Sequence, residues 1–326
     1  MCATAVRHAV PMSTEPEGDP APAAPGWTAA DLPDLGGRTF VVTGANSGLG
    51  FETSRELARH GAHVILTARD TAKGDAAVEA IKAEQPGASV EARYMDLADL
   101  ETVADFAESV ERVDVLVNNA GVMMPPHELT KQGFELQFGV NHLGPFVLTA
   151  MLLDTLKVGV DPRIVTVSSF LHKRGRIYFH DLDGTQNYDR TKFYAQSKLA
   201  NVVFGLELHR RLRMNGFRVD SVLAHPGYAA TNLQTNGPTG VAKLALRVSN
   251  RFLAQDAAMG ALPQLYAAAH PGVESGQMIG PDGRKEQKGY PKVVFPLEAA
   301  RDRELAKRLW DVSEELTGMD FGLAAR

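Results

Sequence analysis

A doubly wound, mostly parallel sheet of seven strands with helices on both faces is the fold class this sequence predicts. Three observations carry it. From residue 38 onward, short apolar runs alternate with longer stretches of helical period. The first run ends directly on a glycine turn, Thr43-Gly44-Ala45-Asn46-Ser47-Gly48-Leu49-Gly50, which opens a helix. A later run, Val113 to Val117, reads as a strand buried on both faces.

The elements follow in order. Arg38 to Thr43 is a strand and Leu49 to His60 a helix. His63 to Thr67 and Ser89 to Tyr94 are strands, each followed by a helix, Thr71 to Glu84 and Leu100 to Val110. After the fourth strand, Thr130 to Leu156 predicts a long helix bent near Gly144-Pro145. Arg163 to Val167 is a fifth strand and Thr191 to Met214 another helix. Arg218 to Leu223 and Gln277 to Ile279 complete the strands, and Leu297 to Thr317 is a last amphipathic helix. Repeated βα units of this kind imply one parallel sheet. Two polar segments break the alternation, Phe170 to Arg190 and Thr235 to Asp256, the second with a helix over Val241 to Phe252. Both belong at the carboxyl edge of the sheet, where such folds bind ligands.

Residues 1–36 are rich in Pro, Ala, Glu and Gly and lack periodicity, so they read as a disordered or loosely attached tail. One folded domain is expected over residues 37–326. With 44% hydrophobic and 22% charged residues, the chain can bury a sizeable core. A net charge of -5 argues against nucleic-acid binding. The lone cysteine, Cys2, permits no internal disulfide and no thiolate metal cluster, and it suits a reducing cytoplasm. Ten histidines occur without ligand spacing, so no metal site is expected. No run of about 20 apolar residues predicts a membrane span.

Gly44, Gly48 and Gly50 sit between a strand and a helix, the context in which glycines let backbone approach a pyrophosphate. Asn46, Ser47 and Leu49 share that turn, and the helix start adds free N–H groups and partial positive charge. The bland alternative is an ordinary tight turn. At the end of the second strand stand Ala68 and Arg69, where a carboxylate would favour the ribose diol of NAD. A guanidinium there bonds a 2′-phosphate or stacks on adenine, which predicts NADP. Pairing of Arg69 with Asp70 is the competing arrangement. Asp96-Leu97 follows the third strand, placed to accept from an adenine amino group. Asn118, Ala120 and Gly121 lie after the fourth, where small residues let the backbone pass close to a ribose.

Tyr194 and Lys198 are four apart, hence one helical turn from each other on one face. A phenol is a poor acid or base at neutral pH. A cation about 5 Å away at an effective dielectric near 20 favours the phenolate by roughly 3 kcal/mol, or about two pKa units. A Tyr so tuned acts as a general acid or base. Alone, this spacing also fits a helix with one aromatic residue and one solvated amine.

Together these motifs resemble the short-chain dehydrogenase/reductase family over about residues 37–283. The resemblance includes the glycine turn, Asn118–Gly121, Asn141, Ser168-Ser169, Tyr194–Lys198, and Pro226-Gly227 with Thr231. It implies a Rossmann fold and a catalytic set of Asn141, Ser169, Tyr194 and Lys198, with Ser168 as the alternative serine. In that family's logic Tyr194 exchanges a proton with the substrate oxygen and Lys198 lowers the Tyr pKa and holds the nicotinamide ribose. Ser169 bonds the reacting oxygen and Asn141 positions a water. Pro226, Gly227 and Thr231 would border the nicotinamide.

The stretches LTARD, SSFLHKRGRIYFHDL and YAQSKLANVVF look like the retinol dehydrogenase and WW-domain-containing oxidoreductase branch. The implied activity is NADP(H)-dependent interconversion of a hydrophobic ketone or aldehyde and its alcohol, a carbonyl reductase reaction on a lipophilic small molecule. Homodimers or homotetramers through the long helix and the Tyr–Lys helix are also implied. A non-catalytic NADP(H) sensor is the alternative, and a hydrolase is disfavoured by the lack of a GxSxG elbow.

Overall fold

The computed structural model describes residues 26–228 and 256–324. The expected helix at Val241 to Phe252 and Thr231 lie outside the described residues. One sheet runs through the molecule in the order β3-β2-β1-β4-β5-β6-β7-β8. Its strands are β1 (Thr39–Val42), β2 (His63–Ala68), β3 (Val90–Tyr94), β4 (Val115–Asn118), β5 (Arg163–Val167), β6 (Asp220–Ala224), β7 (Met278–Pro281) and β8 (Pro291–Val294). Every neighbouring pair is parallel except β7 and β8.

The helices are α1 (Gly48–Arg59), α2 (Thr71–Glu84), α3 (Leu100–Glu108), α4 (Leu136–Lys157), α5 (Arg190–Met214), α6 (Ala257–Ala269) and α7 (Arg303–Thr317). Successive strand residues feed opposite cores, as the pleat requires. Phe40, Val42, Val64, Leu66, Val115 and Val117 pack with α1, α2 and α6. Val41, Ile65 and Leu116 pack with α3, α4 and α5. Parallel strands buried on both faces are what the apolar runs anticipate.

Four differences from the sequence reading have physical causes. An eighth strand exists. Pro291-Lys292-Val293-Val294 has little alternation, yet it pairs antiparallel with β7 at the sheet edge, where a first-position Pro costs no ladder bond. Helix α6 was not expected, because Gly260 and Pro263 interrupt its pattern and it has no polar face. It is buried almost throughout, with Asp256 accepting from the Met259 N–H at 2.7 Å as its cap. Packing outweighs propensity there. The long helix begins at Leu136, since Thr130 to Glu135 forms a turn closed by a Leu129–Glu135 bridge. Finally, packed structure begins before Gly37. Trp27, Leu32 and Leu35 are buried, and Trp27 meets Tyr266 edge-on at 5.0 Å.

Within α4, Gly139–Leu143 is π-helical, immediately before Gly144-Pro145. Pro145 has no N–H to donate, so the ladder widens where the sequence predicted a bend. By length and composition α4 could cross a membrane, but 83% of its apolar window is buried inside the protein, as in a core helix.

Helix α7 lies against α4 and α5. Its Trp310 is buried, 5.4 Å from Phe146, 5.8 Å from Phe204 and 4.6 Å from Phe321 between ring centres, with the Arg211 guanidinium 4.1 Å from the ring. Trp310→Ala should therefore lower unfolding free energy by about 3 to 5 kcal/mol. Urea unfolding followed by circular dichroism measures this, and a loss below about 1 kcal/mol would show that α7 contributes little to the core.

Candidate active site

The predicted site residues within the described regions collect at the carboxyl ends of the parallel strands, flanking the point where strand order reverses between β1 and β4. After β1, the glycine turn folds back toward β4. Gly44 has φ +63°, and a Cβ there would stand 2.7 Å from the Ala120 Cβ, so only glycine fits. Thr43 Oγ1 accepts from the Asn119 and Ala120 N–H groups at 3.0 and 2.9 Å. Asn119 Nδ2 donates to the Thr43 carbonyl at 2.8 Å. Ser47 is the N-cap of α1 but its hydroxyl makes no cap bond, and Gly48, Leu49 and Gly50 form the first turn. A bare helix start behind a tight, glycine-rich turn fits a pyrophosphate.

Ala68 ends β2 and is buried, with exposed Arg69 next. The competing pairing does not form, because Asp70 bonds Lys73 Nζ at 2.9 Å and caps α2 through the Lys73 N–H. Asp96 uses one carboxylate oxygen on the Ala98 N–H at 2.9 Å, and Leu97 is buried against Gly144. Asn118 turns toward α4, where its Nδ2 donates to Thr149 Oγ1 at 3.0 Å. Side-chain alternation thus points its neighbour Asn119 at the glycine turn. Asn119 was inside a motif singled out from the sequence, yet only the pleat identifies it as the clamp. Gln264, on the unexpected α6, supports that clamp by donating to Asn119 Oδ1 at 3.2 Å. Pro226 and Gly227 follow β6, beside Gln287.

Asn141, Ser169, Tyr194 and Lys198 converge from three elements. Asn141 sits in the π-helical turn, Ser169 follows β5, and the other two lie in α5. Asn141 Oδ1 accepts from the Val122 N–H at 2.7 Å, while its Nδ2 donates to the Val122 carbonyl and to Ser197 Oγ, both at 2.9 Å. Both amide N–H groups are engaged, and the side chain pins the loop after β4. Gly121 in that loop is the meeting point: a Cβ there would lie 2.9 Å from Asn141 Oδ1 and 3.4 Å from Lys198 Nζ.

The two serines divide the work. Ser168 Oγ donates to the Lys198 carbonyl at 2.7 Å, tying β5 to α5. Ser169 lies beside the Tyr194 hydroxyl and favours its ionised form. Lys198 Nζ donates to the Val167 carbonyl at 3.2 Å and stands 6.0 Å from the Tyr194 ring centre. Tyr194 and Lys198 are both buried.

Electrostatics differ from the expectation that Lys198 lowers the Tyr194 pKa. Burial pushes Tyr194 up to about 12, opposed by the neighbouring Ser169 side chain. Burial also pushes Lys198 down to about 8. Desolvation disfavours both charged forms, and at this separation it outweighs their attraction. At neutral pH the site therefore holds a neutral phenol, able to donate a proton, beside a destabilised ammonium. A separate cavity of about 580 Å³ lies between α1, α6 and the segment at Thr28–Ala30 and shares no lining residue with this cluster.

Comparison with known proteins agrees with the geometry. The family model of the short chain dehydrogenases matches residues 38–240. Retinol dehydrogenase 13 of Homo sapiens is 42% identical over 294 residues, covering 87% of this chain and 86% of its own. The crystal structure of an uncharacterised protein from Mycobacterium paratuberculosis has a TM-score of 0.77 at 44% identity, covering 91% of this chain and all of the other. A short chain dehydrogenase from Burkholderia cenocepacia, solved in complex with NADP, has a TM-score of 0.58 at 26% identity, with 75% of this chain and 96% of its own covered. By the family-model match and by its likeness to the retinol dehydrogenases over most of its length, the chain belongs to the short-chain dehydrogenase/reductase family of oxidoreductases, in its retinol dehydrogenase branch.

Proposed function

We propose that this chain is an NADP(H)-dependent oxidoreductase that interconverts a lipophilic ketone or aldehyde and its alcohol. The observation that carries the proposal is the placement of Ser169 beside the buried Tyr194, with Lys198 and Asn141 both against Gly121. The bound dinucleotide would supply or accept the hydride. Gly44, Asn46, Ser47, Gly48, Leu49 and Gly50 would hold its pyrophosphate, and Asp96, Leu97, Asn118, Ala120 and Gly121 would flank its adenosine half and ribose. Tyr194 and Lys198 would hold the nicotinamide ribose, with Pro226, Gly227 and Thr231 beside the ring.

In reduction, Tyr194 Oη donates its proton to the carbonyl oxygen as that oxygen gains charge. Ser169 Oγ donates a hydrogen bond to the same atom. Tyr194 is protonated at neutral pH, the form that reduction needs. Asn141 holds the Val122 backbone and so fixes Gly121 against Lys198. A dinucleotide sensor would have no use for a buried ammonium beside a buried phenol, since both are costly to desolvate. NADPH consumption with a panel of lipophilic aldehydes and ketones tests the proposal, and dinucleotide binding without turnover of any of them would favour the sensor.

Arg69 supports NADP as the cofactor, because it is exposed at the end of β2 and Asp70 is engaged elsewhere. Arg69→Ala is expected to lower the preference for NADPH over NADH, as the ratio of kcat/KM values, by about tenfold to a hundredfold. An unchanged ratio would reject Arg69 as the phosphate ligand. Pairing through α4 and α5 as in family dimers would have to accommodate α7, which lies across both. The single cysteine and the buried α4 suit a cytoplasmic enzyme.

A further inference from the structure

We infer that Glu286 is a positioning residue that fixes the turn bearing Ser169 against the turn bearing Pro226-Gly227. The inference rests on the function proposed above but names a residue outside the Asn–Ser–Tyr–Lys set.

Glu286 lies between β7 and β8, far in sequence from both turns. Its Oε1 accepts from Lys173 Nζ at 2.7 Å. Lys173 belongs to the 3-10 turn Phe170–Arg174 that starts directly after Ser169. The other carboxylate oxygen, Oε2, is 3.1 Å from His225 Nε2. His225 is fully buried at the end of β6, immediately before Pro226-Gly227. Its Nδ1 accepts from the Gly227 N–H at 3.2 Å, so the ring proton resides on Nε2 and is donated to Glu286. One carboxylate therefore bridges the segments after β5 and β6.

Neighbouring contacts make the bridge stiff. The Tyr228 N–H donates to the Gln287 carbonyl at 2.8 Å, so the Glu286 segment also grips the Pro226-Gly227 turn through backbone. His172 stands 6.4 Å from His225 between ring centres. Its Nδ1–H donates to the Ser169 carbonyl at 2.7 Å. Lys285 and Glu286 have φ of 54° and 55°, a left-handed backbone that side-chain-bearing residues rarely adopt. Such strain persists where surrounding contacts over-determine it. An ordinary surface ion pair would contribute little, but this carboxylate is mostly shielded and one of its two partners is wholly buried. Those two turns are the ones that would set the reacting oxygen and the nicotinamide end of the dinucleotide, and small misplacements there are costly to hydride transfer.

The test uses the full chain and two variants, Glu286→Ala and the isosteric Glu286→Gln. Fluorescence titration gives the Kd for NADPH. Turnover of an accepted carbonyl with NADPH and its 4-deuterated form gives kcat and the isotope effect. Glu286→Ala should raise the NADPH Kd about fivefold or more, lower kcat about tenfold or more and enlarge the isotope effect, because hydride transfer becomes slower relative to release. Glu286→Gln keeps an acceptor for His225 and should fall between Ala and the parent. If Glu286→Ala does not fold, the same directions are read from Glu286→Gln alone. An unchanged Kd and isotope effect, with any loss of kcat matching a loss of folded protein, would mean a purely structural carboxylate and overturn the inference. A parent chain that binds NADPH but turns over nothing would defeat the proposed function instead, while the Kd comparison still decides the role of Glu286.

Discussion

Tyr194→Phe is expected to cut carbonyl turnover by about a thousandfold or more while leaving the NADPH Kd within about threefold of the parent. Only one oxygen is removed. The ring is buried and a phenyl group keeps its packing. Because burial holds Tyr194 near 12, the residue is uncharged at pH 7 in folded and unfolded chains alike, so no charge term enters stability there. The loss is confined to the polar contact of one hydroxyl beside Ser169, at most about 1 kcal/mol. Steady-state kinetics and dinucleotide titration on the same preparation measure both quantities. A variant that keeps the parental kcat would remove Tyr194 from the proton transfer and with it the central step of the proposed reaction.

Lys198→Met should do two opposite things: lower turnover by at least about a hundredfold and raise stability at pH 7. The first follows from losing the amine that would hold the nicotinamide ribose beside Tyr194. The second follows from burial. Lys198 titrates at about 8 in the folded chain, below its ordinary 10.5. Between those values the unfolded chain binds more protons, so the parent gains stability as pH rises through that window. Below about 8 the cost of burying the ammonium is present in full, about 3 kcal/mol at most. Methionine avoids it, and the Val167 carbonyl keeps Asn201 Nδ2 as a donor at 3.2 Å. The stability advantage of Lys198→Met should therefore be greatest at pH 7 and fade as pH approaches 10.5. Denaturant unfolding at several pH values measures it. A variant less stable than the parent at pH 7 would mean that the ammonium is better solvated or paired than its burial implies.

Periodicity made the sheet legible where strands were apolar and helices two-faced. Helix α2 spans Thr71–Glu84 as its pattern states, with Asp70 as cap. The same logic was blind to α6, whose residues are apolar on every side, and to β8, whose four residues hold a Pro and a Lys. Neither has a local signature, because both are stabilised by what they pack or pair with. At the site, the spacing of Tyr194 and Lys198 was sufficient to put both on one helical turn. It was not sufficient to give the sign of the Tyr194 shift, which depends on how much water the fold removes from each group. The roles of Ser168 and Ser169 were likewise inseparable in sequence, since adjacent residues after a strand point to opposite sides and only the position of α5 distinguishes them.

Local chemistry, then, was written in the chain itself: a glycine turn after a strand, a phenol and an amine at helical spacing, an arginine at a strand end. These depend on residues within a few positions of one another, over which backbone geometry is nearly fixed. Folding alone decided that Asn119 rather than Asn118 clamps the turn, that Trp310 closes over α4 and α5, and that one carboxylate at position 286 meets residues 173 and 225. Such contacts join parts of the chain separated by tens to hundreds of residues. Their energies come from desolvation and packing, which exist only once the whole sheet and its covering helices have assembled.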